Sequence, residues 1–274
     1  MTLSVLALVL AAAITHAVWN AWLKISGDRL VALATLAAGW TMVGFASLYW
    51  VGTPAREVWG LLAISTLVHT VYALTLIRAY GHGNLSVTYP IARGTGPLVV
   101  AIVSALFLGD VLGVQRFTAV LLIVAGVVWL GIPHDTQSMT GVVLSVITGI
   151  LIGTYTLLDG YGGRLGDSPH SYVAWLLILT GIPIMTIAAR LRGQAFAGLL
   201  RPVLPRGVIG GMLSAASYWV VIWAMSEAPM GLVAAVRETS VIFAALFGGA
   251  LLKEPVRWAA VLLVLAGIVL TRLA

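Results

Sequence analysis

Two arginines, Arg93 and Arg237, interrupt apolar stretches long enough to cross a bilayer. Each stands about nine residues into its stretch, ~13 Å along a helix at 1.5 Å per residue. An arginine at the centre of a membrane helix costs about 2.5 to 3.5 kcal/mol on insertion scales, so it is kept for a function or for an internal partner. Its planar fork suits a function, because it can hold a carboxylate or a phosphonate through two parallel hydrogen bonds. Arg93 sits in "YPIARGTGPLVV", beside Pro90, Gly94, Gly96 and Pro97. These residues predict a broken helix whose freed carbonyls and amides line a cavity. Two roles stay open for Arg93: holding a ligand, or closing a buried lock with Glu238. Glu238 itself could bind an ammonium group or carry a coupling proton. Adjacent side chains on a helix diverge by ~100°, which predicts that Arg237 and Glu238 do not pair with each other.

Two histidines lie at similar depth. His16, Asn20 and Lys24 recur every fourth residue and form one polar stripe on the first span. Lys24, at the end of the stripe, reaches the interface. An unperturbed pKa of about 6.5 suits His16 to proton coupling; its alternative is a hydrogen-bonded packing residue. His69 shares a face of the third span with Tyr72, and Tyr89 stands one turn before Arg93. Tyr218 and Trp223 occupy comparable depths in the second half. Such rings can wall a cavity through stacking and cation–π contacts, or pack against neighbouring helices. Asp159 falls ~20 residues into its span at 1.5 Å per residue, near the outer interface, with Tyr155 one turn earlier. At that depth it would make a helix-end or loop contact. Asp110 and Glu254, with Arg116 and Arg257 nearby, read as interfacial ion pairs that fix loops.

The elements that must position these residues follow from composition. Of 274 residues, 61% are hydrophobic and only 9% charged, with a mean hydropathy of +1.06. A soluble domain carries roughly a quarter charged residues, so this chain has too few to cover a wet surface. Apolar runs fall at 3–24, 31–51, 58–80, 85–108, 117–132, 139–160, 171–189, 207–227, 230–252 and 258–273. Lipid offers backbone amides no partner, so the runs are helices, and the first is a retained span rather than a signal peptide. The expectation is an all-α membrane protein of ten transmembrane helices.

The halves repeat. "IARGTGPLVVAIVSALFLGD" (91–110) lies on "AVRETSVIFAALFGGALLKE" (235–254) without a gap, so Arg93 falls on Arg237 and Asp110 on Glu254. Downstream, "RFTAVLLIVAGVV" (116–128) lies on "RWAAVLLVLAGIV" (257–269), and upstream Ala79 falls on Ala224 after a one-residue slip. The units are 1–133 and 138–274. Five spans per unit is odd, so the second enters the membrane from the opposite side, an inverted repeat with its site near mid-membrane. Lys24, Arg29, Arg78, Arg190, Arg192, Arg201, Arg206, Lys253 and Arg257 share one side; Arg56, Arg116, Arg164 and Arg272 share the other. The basic side belongs in the cytoplasm, which puts both termini outside.

Together these features resemble the EamA family of the drug/metabolite transporter superfamily. The likeness rests on the paired repeat endings, "LFLGDVLGVQRFTAVLLIVAGVV" and "LLKEPVRWAAVLLVLAGIV", and on "HAVWNAWLK", "YPIARGTGP" and "YTLLDGYGGR". The branch with these signatures also resembles permeases linked to phosphonate use. The resemblance implies a secondary carrier for small metabolites in a bacterial inner (plasma) membrane, and through "YTLLDGYG" it implies an outer gate or ammonium contact at Asp159. Arg93 and Arg237 against Glu238 leave one positive charge, which favours an anionic or zwitterionic solute, amino-acid-like or aminophosphonate-like. A cationic or drug-like metabolite, exported or exchanged, is the alternative.

Other classes lack their residues. There is no cysteine, and no Walker, HExxH or GxSxG motif, so ATP-driven pumping and familiar hydrolytic chemistry are not expected. An intramembrane enzyme remains only as a remote alternative. No cofactor or metal is expected. The net charge of +6 is spread over loops, not a nucleic-acid patch. The expected partners are a small solute, the lipid bilayer, and a coupled proton or counter-substrate, with the protein working as a monomer.

Overall fold

A computed structural model describes residues 1–82, 85–110, 112–130, 132, 138–166, 168–243 and 257–273, without the side chains of residues 20, 21, 23–25, 80, 85–89, 272 and 273. Asn20 and Tyr89, two candidate site residues, therefore lie outside the described side chains. The helices are α1 (Leu3–Ile25), α2 (Arg29–Val51), α3 (Trp59–His82), α4 (Leu85–Phe107), α5 (Val114–Leu130), α6 (Met139–Leu165), α7 (Pro169–Arg192), the short α8 (Phe196–Leu200), α9 (Leu204–Glu227), α10 (Met230–Arg237) and α11 (Trp258–Leu273). Among the described residues there is no strand. α2, α3, α4, α6, α7 and α9 are long and apolar enough to cross a bilayer, and α1, α5 and α11 are shorter apolar helices. α10 and helical residues 240–243 begin the ninth apolar run.

Packing displays the inverted symmetry residue by residue. α3 packs on α6 as α9 packs on α1, and α2 on α9 as α7 on α3. Where α5 crosses α11, a Cβ on Gly126 would lie 2.8 Å from the Ala260 carbonyl, and one on Gly267 would lie 2.9 Å from the Ala119 carbonyl. Where α2 crosses α7, a Cβ on Gly44 would lie 2.7 Å from the Ala174 carbonyl, and one on Gly181 2.7 Å from the Ala37 carbonyl. Each crossing is thus self-complementary, as a two-fold axis requires. Glycine is needed at these points because two backbones touch there.

α4 is continuous through Pro90 and Pro97, which corrects the expected break in that helix. Each proline removes one amide donor, and the rest of the ladder holds. α4 also lies flush on α6, where a Cβ on Gly153 would come within 2.6 Å of Val99. The break occurs at the matching place in the second half: α10 stops at Arg237, and Glu238 and Thr239 form a turn before helix resumes at Ser240.

Candidate functional site

A cavity of about 120 Å³ lies on the symmetry axis. Repeat-related positions line it in pairs: His16 with Tyr155, Trp40 with Leu177, His69 with Ser214, Ala73 with Tyr218, and Arg93 with Arg237. It extends toward one end of the bundle, past Trp19, Leu33, Leu76 and Ile184. At the other end Arg164 reaches Asp110, donating to it at 2.8 Å and also to the Met225 and Ala228 carbonyls.

Both guanidiniums are buried and meet one carboxylate. Arg93 Nε lies 2.9 Å from Glu238 Oε2, while Arg237 donates to Oε1 through Nε at 3.2 Å and Nη2 at 3.1 Å. Glu238 is wholly buried, as it must be to serve two buried cations. The contact between Arg237 and Glu238 corrects the expectation that they diverge. The 100° rule holds within a helix, and Glu238 stands in the turn beyond α10. Arg93 also donates to Ser240 Oγ at 3.4 Å and to His16 Nε2. A guanidinium only donates, so His16 accepts and its ring is neutral.

A second buried carboxylate backs the opposite wall. Asp159 has no exposure, which corrects its expected place at the outer interface. Counting depth from the start of α6 misled because that helix runs on to Leu165. Asp159 accepts from Ser65 Oγ (2.5 Å) and Tyr172 OH (3.1 Å) on Oδ1, and from His69 Nε2 (3.0 Å) and Tyr218 OH (2.5 Å) on Oδ2. His69 in turn stacks on Tyr155 at 3.9 Å, and its side chain retains 14% exposure.

Of the sequence candidates, His16, His69, Tyr72, Arg93, Tyr218 and Arg237 line the cavity, with Glu238 and Asp159 directly behind. Trp223 does not; it packs against the apolar core. Asp110 pairs with Arg164, while Glu254 lies outside the described residues. Trp19, Trp40, Tyr155, Ser65 and Tyr172 were missed as site residues. Two carried a signal: Tyr155 precedes Asp159 by four, and Ser65 precedes His69 by four, so each pair shares a helix face.

Residues 139–273 match the model of the EamA-like transporter family. The second half of this chain belongs to that family. The first half is its inverted structural partner, so the EamA domain supplies Asp159, Arg237 and Glu238 while the first supplies His16, His69 and Arg93. Proteins of this family are membrane transporters of small molecules. The chain is 26% identical to a WAT1-related chloroplastic protein of Arabidopsis thaliana over 85% of its own length and 59% of the relative's, so it spans about three fifths of that protein. A solved crystal structure superposes with a TM-score of 0.72 over 98% of this chain and 95% of its own, at 16% identity, a likeness of fold. Neither relative bears on the likeness to phosphonate-linked permeases.

Proposed function

We propose that this integral membrane protein is a secondary transporter that carries a small organic anion or zwitterion by alternating access around the central cavity. One observation supports it above the others: two buried guanidiniums, one from each repeat, share a single carboxylate at the cavity wall. An incoming carboxylate or phosphonate would compete with Glu238 for those donors, so binding and release of the internal lock are one event. Amino-acid-like and aminophosphonate-like solutes fit this chemistry. The aromatic wall of Trp19, Trp40, Tyr72, Tyr155 and Tyr218 favours the second reading, export or exchange of a cationic or drug-like solute.

The cavity leans toward the end that carries Asp28 and Arg192, and the excess of Lys and Arg at that end supports a cytoplasmic assignment with both termini outside. Arg164 would then close the outer gate. The test is ligand-induced thermal stabilisation with acidic, zwitterionic and cationic metabolites, followed by uptake into sealed vesicles. Stabilisation by anionic or zwitterionic solutes, lost in Arg93→Ala and Arg237→Ala, is expected. Stabilisation by simple cations alone would remove the anion reading.

A further inference from the structure

The two histidines at the cavity differ in what a proton would do to them. His16 accepts from Arg93, so a proton on that nitrogen would break the bond and place a cation against a cation. His69 faces the opposite case. Asp159 as a carboxylate only accepts, so His69 Nε2 carries the hydrogen of their 3.0 Å contact. A proton added at Nδ1 would make an imidazolium held by a buried carboxylate. The groups around the pair are Tyr155 from α6, Tyr172 from α7 and Tyr218 from α9, all neutral near pH 7, with Tyr72 on α3 itself and Arg93 and Arg237 across the cavity.

Charge balance gives this proton a use. With neutral histidines, Arg93 and Arg237 offset Glu238 and Asp159, all four buried. A monovalent anion entering that balanced cavity would leave it one charge negative, which a low-dielectric site resists. One proton on His69 restores neutrality. The other repeat provides a control: counted back from Gly27-Asp28 and Gly166-Asp167, the position of Asp159 is taken by Asn20, and His69 pairs with Ser214. The fold therefore does not require the ionisable pair at these positions.

We infer that the cavity binds a monovalent organic anion together with one proton, and that the proton resides on the His69–Asp159 pair. This rests on the anion reading above. The probes are monocarboxylates from butyrate to benzoate and phenylpyruvate, titrated calorimetrically into the purified full-length protein in two buffers of different ionisation enthalpy. Wild type takes up about one proton per anion, and its affinity rises about tenfold per unit fall in pH across the linked range. Asp159→Asn leaves the resting cavity one charge positive, so it binds without proton uptake and with no pH dependence. His69→Gln loses both the uptake and most of the affinity at neutral pH. Wild-type binding without proton uptake, or undiminished uptake in His69→Gln, overturns the inference and spares the anion reading. Failure of every monocarboxylate to bind wild type overturns both.

Discussion

Arg164 and Asp110 meet at 2.8 Å across the end of the bundle that the cavity does not reach, and Asp110 also accepts from the Met230 amide at 2.8 Å. Because Arg164 holds the Met225 and Ala228 carbonyls as well, the two side chains together tie α6, the end of α9, the start of α10 and the loop after α4. Opening this end requires those bonds to part. Removing one partner of such partly buried polar contacts costs about 1 kcal/mol, enough to shift a two-state equilibrium about fivefold. Arg164→Gln is therefore expected to populate the state open at that end. The chain has no cysteine, so Ser214→Cys gives a single thiol on the cavity wall. Its labelling by an impermeant maleimide should rise from the Arg164 side and fall from the other. Unchanged labelling from both sides would refute the clasp.

Glu238 sets a different test. Breaking a buried ion pair from one side costs about 3–5 kcal/mol because the remaining charges stay buried. Glu238→Gln leaves Arg93 and Arg237 without that shared carboxylate, so the variant should melt well below wild type. An added monocarboxylate supplies the missing charge. The ligand-induced rise in Tm should accordingly be larger in Glu238→Gln than in wild type, whereas a smaller rise would show that Glu238 contacts the ligand directly.

Much of this arrangement was legible in the residues. The gapless match of residues 91–110 on 235–254 already put Arg93 and Arg237 at equivalent places, and equivalent places in inverted repeats converge on the axis. The matched Gly126 and Gly267 crossings follow from the same register. What the sequence hid was the break after Arg237. "VRETSV" contains neither Pro nor Gly, and the chain turns there through local polar bonds. Thr239 Oγ1 donates to the Val236 carbonyl at 2.8 Å, and the amides of Glu238 and Thr239 turn back to Ala235 and Val236. Short polar side chains compete with the helix ladder in this way, but their spacing alone does not announce it. Asp159 was hidden for another reason. Its four donors come from α3, α7 and α9, and no pattern within α6 reports them.

The α4–α6 crossing sets the position of Arg93. A Cβ on Gly149 would stand 2.7 Å from the Ala92 carbonyl and 2.5 Å from Thr95 Cβ. Gly149→Ala must push α4 away, next to the residue that carries the guanidinium. Overpacking of this kind costs about 1–3 kcal/mol. A lower Tm is expected together with weaker anion binding, whereas Gly60→Ala, where a Cβ meets nothing within 4 Å, should leave binding unchanged and not lower the Tm. Equal effects at both positions would show that close packing at α4 is immaterial to the site.

At the opposite end, Asp28 accepts from Arg192 Nε at 2.6 Å and Nη2 at 3.2 Å while capping α2 through the Leu30 and Val31 amides. The hydrogen bond from Arg192, helped by those amides, holds the Asp28 carboxyl below the usual aspartate range. A carboxyl depressed in the folded state adds stability that is present above its unfolded pKa and is lost as pH falls through the folded one. Asp28→Asn keeps an oxygen for the cap and removes the charge. Its Tm should therefore lie below wild type from neutral pH down to about 4, the ordinary aspartate value, and the gap should close on further acidification. Asp28→Ala loses the cap too, so part of its deficit should persist at low pH. A gap for Asp28→Asn that does not change with pH would show that the ion pair is not its source.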